Sequence, residues 1–558
     1  MARTLRNAPV LLLAAALAVA AVLFLTLTWH FTFLIDTWEF LMNRRAFTVD
    51  SIMRPHNEHI VVIPVAIEQL FLHLFGMGTA RPEYVLLTIM LLVTDALLFV
   101  YLRRRVGDWM ASFGALLILF LGPAWELILW PFEISLLGSV LFGLAMLLAL
   151  ERRGRRADFL ACLFLAISIG FSELGLAFVV AALVAVLQSP REDWRRRAFV
   201  VVVPVVLYAL WYLGWGHEAE SHMSLRNILA SPRFVAESVA AGVGNLFGLG
   251  TSPVSGATEL FWGAVLVAAI VAAVGYRRWQ RPGFDPGLWP VAAAAAFNWF
   301  LTAFNQIPGR EPATSRYQYA SCVFIVMVLA NLLAKERFSR RTLLVAGAVT
   351  VLAIGPNLVV LKDGRDGLNE MSALTRADTE ALEIARSRVP ADFQLNPEVA
   401  GTPILVDISA GHYFEAVDEY GSPAYSEAEL LTAPEIARHQ ADVVLSQALP
   451  LKNVIAVGGY DPRGGGHCVT VEPGAPAPSG MPVHSGETRI EVPPGPEAQL
   501  SMRRFAAEEF PVTLTAAPGG SAAVLHVPRD ESPRPWQLHV AAEQPVRVCR
   551  GNAAIRRR

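Results

Sequence analysis

Charged residues are scarce in this chain. They make up 17% of its 558 residues, whereas soluble domains carry about 25%. Only three of the 46 basic residues are lysines, and the formal net charge is −2. Without an excess of charge of either sign, nothing indicates a nucleic-acid partner. Apolar residues reach 54%, which excludes an ordinary soluble enzyme and indicates a membrane protein.

Motifs of nucleotide and metal chemistry are also absent. The sequence contains no G-x-x-x-x-G-K-[ST], H-E-x-x-H or C-x-x-C, so nucleotide hydrolysis and common metal chemistry have no support. Cys162 and Cys322 lie in apolar runs, where we interpret them as small packing residues. Cys468 and Cys549 lie in the first and last strands predicted near the C-terminus. They are a disulfide candidate, although sequence alone does not fix a pairing.

Long apolar runs dominate the first two thirds of the chain. Read with a window of about 19 residues, they predict eleven transmembrane spans, near residues 8–30, 83–102, 109–129, 133–150, 157–172, 174–188, 198–214, 259–276, 287–304, 317–334 and 341–361. One set of alternate connections holds 20 basic residues and the other holds eight. The positive-inside rule then predicts a cytoplasmic N-terminus. Because the number of spans is odd, the region after residue 361 is predicted to lie outside the cytoplasmic membrane.

The composition changes after Leu361 to a polar region rich in Pro and Gly. We predict an α/β segment over 362–465, with helices at 375–389 and 426–448 and strands at 403–408 and 453–457. Over 466–558, short alternating runs predict a β-sandwich-like module, with strands at 468–472, 488–492, 499–503, 512–516, 522–527, 537–541 and 546–550. The predicted fold class is a polytopic α-helical membrane domain, 1–361, followed by an extracytoplasmic α/β and β-sandwich region.

The first outer loop carries acids and histidines. Asp36 follows the first span and Glu39 lies three residues on, so a helical loop would place both carboxylates on one face. Such a pair can act as a general base or bind a hard cation, and solvated loop acids are the plainer interpretation. His56, Glu58 and His59 could bind a metal or a substrate, or be ordinary surface residues.

A second polar group lies at the outer end of the tenth predicted span. It contains Arg310, Arg316 and Tyr317, and a guanidinium group matches phosphate oxygens bidentately. The group therefore suits a lipid-linked phosphate, with an interfacial anchor as the alternative. Glu133 and Glu173 lie at the outer ends of other spans, where carboxylates usually face a cavity. They are candidates for contact with an acceptor, for metal binding or for helix pairing.

These residues carry a resemblance to a known superfamily. A cytoplasmic start, one span and an outer loop opening with Asp36-Thr37-Trp38 resemble the GT-C superfamily of polyprenyl-phosphate-sugar-dependent glycosyltransferases. The segment Pro55-His56-Asn57-Glu58-His59 is similar to a motif of uncharacterised actinobacterial members. Trp130-Pro131-Phe132 and Ser315-Arg316-Tyr317 are similar to recurring features there. The resemblance covers residues 8–361.

The resemblance implies a bacterial hexosyl- or pentosyltransferase that moves a sugar from a polyprenyl-phosphate donor to an envelope glycan, lipid or protein on the outer face of the cytoplasmic membrane. Asp36 matches the family's catalytic carboxylate, and Arg316, Arg310 and Tyr317 would contact the donor phosphate. Thr37 stands where a strict Asp-Asp-Trp motif has its second acid, so the use of a divalent cation, Mg²⁺ or Mn²⁺, stays open. The β-sandwich module would bind an acceptor glycan or a partner.

Two other functions fit parts of the sequence. A transporter or flippase of lipid-linked precursors would show internal repeats, broken helices and ionisable groups at the membrane midplane. Here Asp95 is the clearest mid-span charge, and the other acids gather at span ends, which favours chemistry at the surface. A non-catalytic envelope scaffold can be separated from an enzyme only by mutagenesis.

Overall fold

The computed structural model describes residues 2–152, 154–250, 256–280, 283–394, 408–450, 452–457, 468–472, 481–491, 499–507, 512–513, 521–541 and 544–550. The chain divides into two compact units. We name them the helical unit, Met1–His30, Asn43–Leu74 and Ala80–Leu368, and the C-terminal unit, Phe31–Met42, Phe75–Thr79 and Asn369–Arg558.

Helices account for nearly all of the regular structure before residue 386. In chain order they are α1 (Ala2–Thr28), α2 (Thr37–Asn43), α3 (Val49–Met53), α4 (Val62–Phe75), α5 (Arg81–Leu119), α6 (Trp125–Leu129), α7 (Ile134–Leu150), α8 (Arg155–Phe171), α9 (Gly175–Leu187), α10 (Arg191–Arg197), α11 (Phe199–Gly214), α12 (Leu225–Leu246), α13 (Gly256–Gln280), α14 (Leu288–Phe304), α15 (Ser315–Leu332) and α16 (Arg340–Ala385). Short 3-10 helices occupy Gly122–Ala124, Pro131–Glu133 and Gly216–Glu218.

Within the part of the chain that the structure describes, six helical stretches are long and apolar enough to cross a membrane: Asn7–Thr28, Arg81–Leu119, Pro131–Leu150, Arg191–Gly214, Leu260–Gln280 and Arg340–Ala385. Shorter apolar helices are Val62–Phe75, Gly175–Leu187 and Leu288–Phe304. Large apolar side chains stay exposed along them, and Leu213 and Leu352 are each 74% exposed. Contact of such apolar side chains with lipid is favourable, whereas their contact with water is not. The chain is a polytopic helical membrane protein with an appended C-terminal unit, which confirms the predicted fold class.

Two helical predictions differ from the structure. The predicted spans 83–102 and 109–129 form α5, whose two parts meet at Gly107 with φ +79°, a conformation that glycine adopts readily. The helix stops at Leu119, and a short 3-10 helix, Gly122–Ala124, followed by α6 replaces the rest of the predicted span. Helix α12 was not predicted, because its polar residues, among them Asn227 and Arg233, keep a hydropathy window below the level of a span.

The arginine-rich connections meet at one end of the helices. Arg105 Nη2 lies 2.5 Å from Glu151 Oε1, and Lys335 N donates to Arg105 O at 3.3 Å. Lys335 Nζ pairs with Asp285 Oδ2 at 2.9 Å. Connections far apart in sequence therefore share an end, as the alternation of basic loops predicts. That this end is cytoplasmic stays a prediction from the positive-inside rule.

The C-terminal unit combines helices with two antiparallel sheets. Its further helices are α17 (Ala410–Tyr420), α18 (Glu427–Thr432) and α19 (Glu435–Ala448). Its strands are β1 (Lys452–Val457), β2 (Cys468–Val471), β3 (Met481–Val483), β4 (Gly486–Glu491), β5 (Gln499–Arg503), β6 (Val512–Thr513), β7 (Ser521–Val527), β8 (Trp536–Ala541) and β9 (Val546–Arg550). The strand orders are β1-β7-β4-β9-β2 and β3-β8-β5-β6. Each sheet buries alternate residues, including Ile490 and Val548 in the first and Leu500 and Met502 in the second, as a β-sandwich requires.

The predicted subdivision of this region is partly different. Strand β1, assigned from sequence to the α/β segment 362–465, pairs with β7 in the five-stranded sheet. The predicted boundary at residue 361 falls within α16, and the predicted helix 426–448 is two helices because Pro434 interrupts it. Helix α17 was not predicted. The predicted strand 403–408 lies outside the described residues except for Ile408.

The segment expected to be an outer loop of the membrane domain packs within the C-terminal unit. Thr32 N donates to Ser372 Oγ at 2.9 Å. The rings of Trp38 and Tyr413 lie 6.2 Å apart, and Trp38 is 1% exposed. Sequence assigned residues 31–42 to the membrane domain because they follow a span, but they belong to the C-terminal unit, where Trp38 packs on Tyr413 of α17.

Cys468 and Cys549 form a disulfide in this structure. They face each other across the antiparallel pair β2–β9. Eighty-one residues separate them in sequence, so the bond closes most of the sandwich into one loop. Cys162 and Cys322 are free and buried, as their apolar settings predict.

Candidate functional site

Asp36 lies at the start of α2, directly after a strained residue. Ile35 has φ +44°, which is rare for a β-branched side chain and is most often found at functional positions. The turn is fixed because Thr37 N donates to Leu34 O at 3.1 Å and Glu39 N donates to Asp36 O at 3.1 Å. Asp36 thus directly precedes α2, and Glu39 lies in its first turn. Both side chains are half-buried.

The two histidines of the Pro-His-Asn-Glu-His segment close a tight turn. His56 N donates to His59 O at 3.0 Å, and His59 N donates to His56 O at 2.8 Å. Asn57 takes φ +52°, a conformation that asparagine tolerates better than most residues. His56 is buried with its ring 5.3 Å from Phe132, which stacks on Trp130. The turn therefore fixes the positions of Glu58 and His59.

His59 pairs with a carboxylate from the α8–α9 connection. Its Nδ1 lies 2.6 Å from Glu173 Oε1, and its Nε2 lies 3.7 Å from Glu58 Oε1. Burial alone lowers the pKa of the His59 imidazole, but the charge and hydrogen bond of Glu173, with the charge of Glu133, raise it above the ordinary value. Burial likewise raises the pKa of Glu173, and the interaction with His59 outweighs it, so that pKa is lowered. Each of the two groups therefore favours the charged form of the other.

Arg310 from the α14–α15 connection and Arg316 from the first turn of α15 complete this group. Arg310 Nη2 donates to Glu58 Oε2 at 3.0 Å, and a second ion-pair contact joins Arg310 Nη1 to Glu58 Oε1. Arg316 N donates to Glu126 Oε2 at 2.9 Å. The Arg316 guanidinium lies 4.0 Å from Glu126 through Nε and 5.9 Å from the ring of Tyr317. Arg310 is thus engaged by Glu58, whereas the Arg316 side chain is 32% exposed.

These contacts define a charged cluster, which consists of Glu58, His59, Glu126, Glu133, Glu173, Arg310 and Arg316. Arg316 and Glu133 act electrostatically on His59, and Glu133 is 3% exposed. Next to the cluster, Trp130 Nε1 is buried and has no hydrogen-bond partner among the described residues. A buried indole N–H normally finds an acceptor, so the site offers a donor to a ligand.

The structure brings together most of the candidate residues but not all of them. The histidines, Glu58, Glu133, Glu173 and the two arginines belong to the helical unit, whereas Asp36 and Glu39 belong to the C-terminal unit. Sequence reasoning missed the role of Trp130 as a buried donor. It also missed the hydrogen-bonded carboxyl pair of Glu68 and Glu83. The apolar setting of Glu68 was the available signal for that pair.

The candidate metal ligands do not form a complete site. In the part of the chain that the structure describes, no three His, Cys, Asp or Glu side chains are grouped so that they could hold one ion. We therefore assign no step of a reaction to a metal.

Comparison with known proteins shows that the chain is similar in structure to a solved protein. No family model and no curated protein matches the sequence. The chain is similar to the crystal structure of ArnT from Cupriavidus metallidurans bound to undecaprenyl phosphate. The identity is 14% and the TM-score is 0.44, over 76% of this chain and 90% of that chain. The likeness is one of fold. No residue role is transferred from it.

Proposed function

We propose that the protein is a membrane glycosyltransferase that transfers a sugar from a polyprenyl-phosphate donor to an envelope acceptor on the outer face of the cytoplasmic membrane. The observation that carries the proposal is the charged cluster. It places His59 and the partly exposed Arg316, with the buried indole donor of Trp130 beside them, at one end of an apolar helical unit. This combination suits the phosphate of a lipid whose chain lies among apolar helices.

The cluster would act on the leaving group. When the anomeric carbon loses its phosphate oxygen, negative charge grows on the lipid phosphate. Arg316 can form paired hydrogen bonds with phosphate oxygens, and positively charged groups placed in advance stabilise such a transition state. Arg310 would serve mainly to hold Glu58, because their ion pair already occupies its guanidinium group. Tyr317 would keep the Arg316 side chain in place.

Asp36 would act on the acceptor. Its carboxylate would take the proton of an acceptor hydroxyl, and the oxygen would attack the anomeric carbon as the bond to the phosphate oxygen breaks. The products are the glycosylated acceptor and the lipid phosphate, with the proton on Asp36 until solvent removes it. The assignment rests on the Asp-x-Trp resemblance and on the strained backbone at Ile35. Glu39 is the next candidate for the base.

The assignment is tested by sugar transfer with Asp36→Asn, which keeps size and polarity but removes the base. Loss of a general base lowers the rate by about 10²–10⁴-fold. The matched control is Asp50→Asn, an exposed acid in the first turn of α3, which we expect to keep full activity. Equal transfer by wild type and Asp36→Asn would contradict the assignment and move the base to Glu39.

One observation favours an alternative function, a transporter of lipid-linked precursors. Asp95 lies within α5, is 0% exposed and has no hydrogen-bond partner for either carboxylate oxygen among the described residues. A carboxyl group in that setting often belongs to a proton or ion pathway. If Asp95→Asn abolished movement of a labelled lipid across the membrane, and no sugar transfer occurred in wild type, the transporter would replace the transferase.

A further inference from the structure

A solvent-open cavity of about 660 Å³ lies in the C-terminal unit. Three segments form it: Ser387–Arg388 beyond the end of α16, His484–Ser485 after β3, and the loop Pro528–Pro535 between β7 and β8. Its volume is within the range of about 300–1,000 Å³ found for small-molecule sites. Its lining is mostly polar, so an acyl chain or another apolar ligand would not fit it.

The loop Pro528–Pro535 is held in one conformation by a buried arginine. Arg504 donates to Asp530 Oδ2 at 2.6 Å, to Ser532 O at 3.2 Å and to Arg534 O at 2.9 Å. The side chains of Arg504 and Asp530 are only 3% and 5% exposed. A wall fixed in advance costs less conformational entropy when a ligand binds. Such an arrangement suits a binding site better than a variable surface loop.

The cavity presents positive charge. Arg388 and Arg529 are exposed on its wall. Arg534 forms an ion pair with Glu427, whose Oε1 lies 3.8 Å from Arg534 Nε, and the Arg534 side chain is 38% exposed. Arg504 and Asp530 neutralise each other, and Glu531 adds one further acid. Guanidinium groups bind carboxylate or phosphate oxygens in pairs.

We infer that this cavity binds an anionic saccharide, one that carries carboxylate or phosphate groups, through Arg529 and Arg534. Saccharide hydroxyls match the polar lining that His484 and Ser485 contribute. The arginines match the acidic groups. If the saccharide is part of the acceptor, that placement rests on the proposed transferase function, whereas the binding itself does not.

The test is calorimetric titration of the full chain in nanodiscs, without any sugar donor. The probes are tetragalacturonate for the carboxylate source, glucose 6-phosphate for the phosphate source and neutral galactotetraose. We expect an anionic probe to bind and the neutral one to bind much more weakly. Arg529→Gln and Arg534→Gln should each weaken binding about tenfold. The matched control, Arg386→Gln, removes an arginine that pairs with Asp418 and does not line the cavity, and it should leave the affinity unchanged.

The outcomes separate cleanly. Preference for tetragalacturonate or for glucose 6-phosphate supports the inference and identifies the acidic group. Equal binding of galactotetraose, no binding of either anionic probe, or unchanged affinity in both cavity variants would overturn it. Because no donor is present, failure here leaves the transferase proposal intact. Absence of sugar transfer would equally leave the binding result intact.

Discussion

The ion pair of His59 and Glu173 gives the sharpest prediction. Glu173→Gln removes the charge that lies 2.6 Å from His59 Nδ1 while keeping the side chain's shape. A hydrogen bond to a charged group contributes about 1.5–3 kcal/mol. The side chains are 29% and 18% exposed, so solvent screens part of the interaction and we expect the lower end of that range. The variant should therefore lose about 1.5 kcal/mol of unfolding free energy at a pH where both groups are charged.

The sign of the pH dependence follows from the two pKa shifts. The pKa of His59 is raised above 6.5. Its contribution to the unfolding free energy is therefore present below pH 6.5 and disappears as the pH rises through the raised pKa. The pKa of Glu173 is lowered below 4.5, so its contribution is present above that value and disappears as the pH falls through the lowered pKa. The pair thus stabilises the protein fully between about pH 4.5 and 6.5.

The assay is thermal unfolding of the full chain in nanodiscs at several pH values. The difference between wild type and Glu173→Gln should be largest in that window and should shrink above it. The control is Glu218→Gln, which changes an exposed glutamate and should give a small difference at every pH. A Glu173→Gln difference that does not vary with pH would refute the reasoning, as would a variant as stable as wild type.

Three further predictions concern stability. Burial raises the pKa of the Asp442 carboxyl to about 6, so its contribution to the unfolding free energy falls as the pH rises through 6. When the pH is lowered from 7 to 5, wild type should therefore gain about 1 kcal/mol of unfolding free energy relative to Asp442→Asn. Parallel unfolding curves for the two proteins would contradict this. Replacing Cys468 and Cys549 by serine should cost up to about 4.5 kcal/mol, the loop-closure value for two cysteines 81 positions apart, measured by denaturant unfolding under oxidising conditions, with reduced wild type as the reference. Gly122→Ala should destabilise the helical unit by more than about 2 kcal/mol, because its Cβ would clash with Asn357 O; a melting temperature equal to that of wild type would show that the backbone moves freely there.

Periodicity and composition predict those parts of the fold that local sequence determines. Strands β5 and β9 match their predicted bounds, since short alternating runs between turn residues specify a strand directly. The apolar helices were likewise predictable, because the apolar run that specifies each one lies within a single segment of the sequence. Helix α12 was missed because an amphipathic helix lacks a continuous apolar run.

Features that depend on contacts between distant residues could not be predicted. The partner of His59 is 114 positions away in sequence, and β1 joins a sheet whose other strands come later. The placement of residues 31–42 in the C-terminal unit depends on Trp38 packing on Tyr413, which no periodic pattern indicates. The residue types of the site were predictable from their chemistry, whereas their pairing was not.

The most direct test of the central claim is a transfer assay with radiolabelled sugar on polyprenyl-phosphate donors. Membranes containing the wild-type chain, Asp36→Asn or Arg316→Gln are supplied with hexosyl and pentosyl donors and an envelope acceptor fraction. We predict that wild type moves the label from the lipid to the acceptor fraction and that both variants lose this transfer at equal protein level. Label that stays on the lipid with every donor, while the labelled lipid crosses the membrane, would contradict the account.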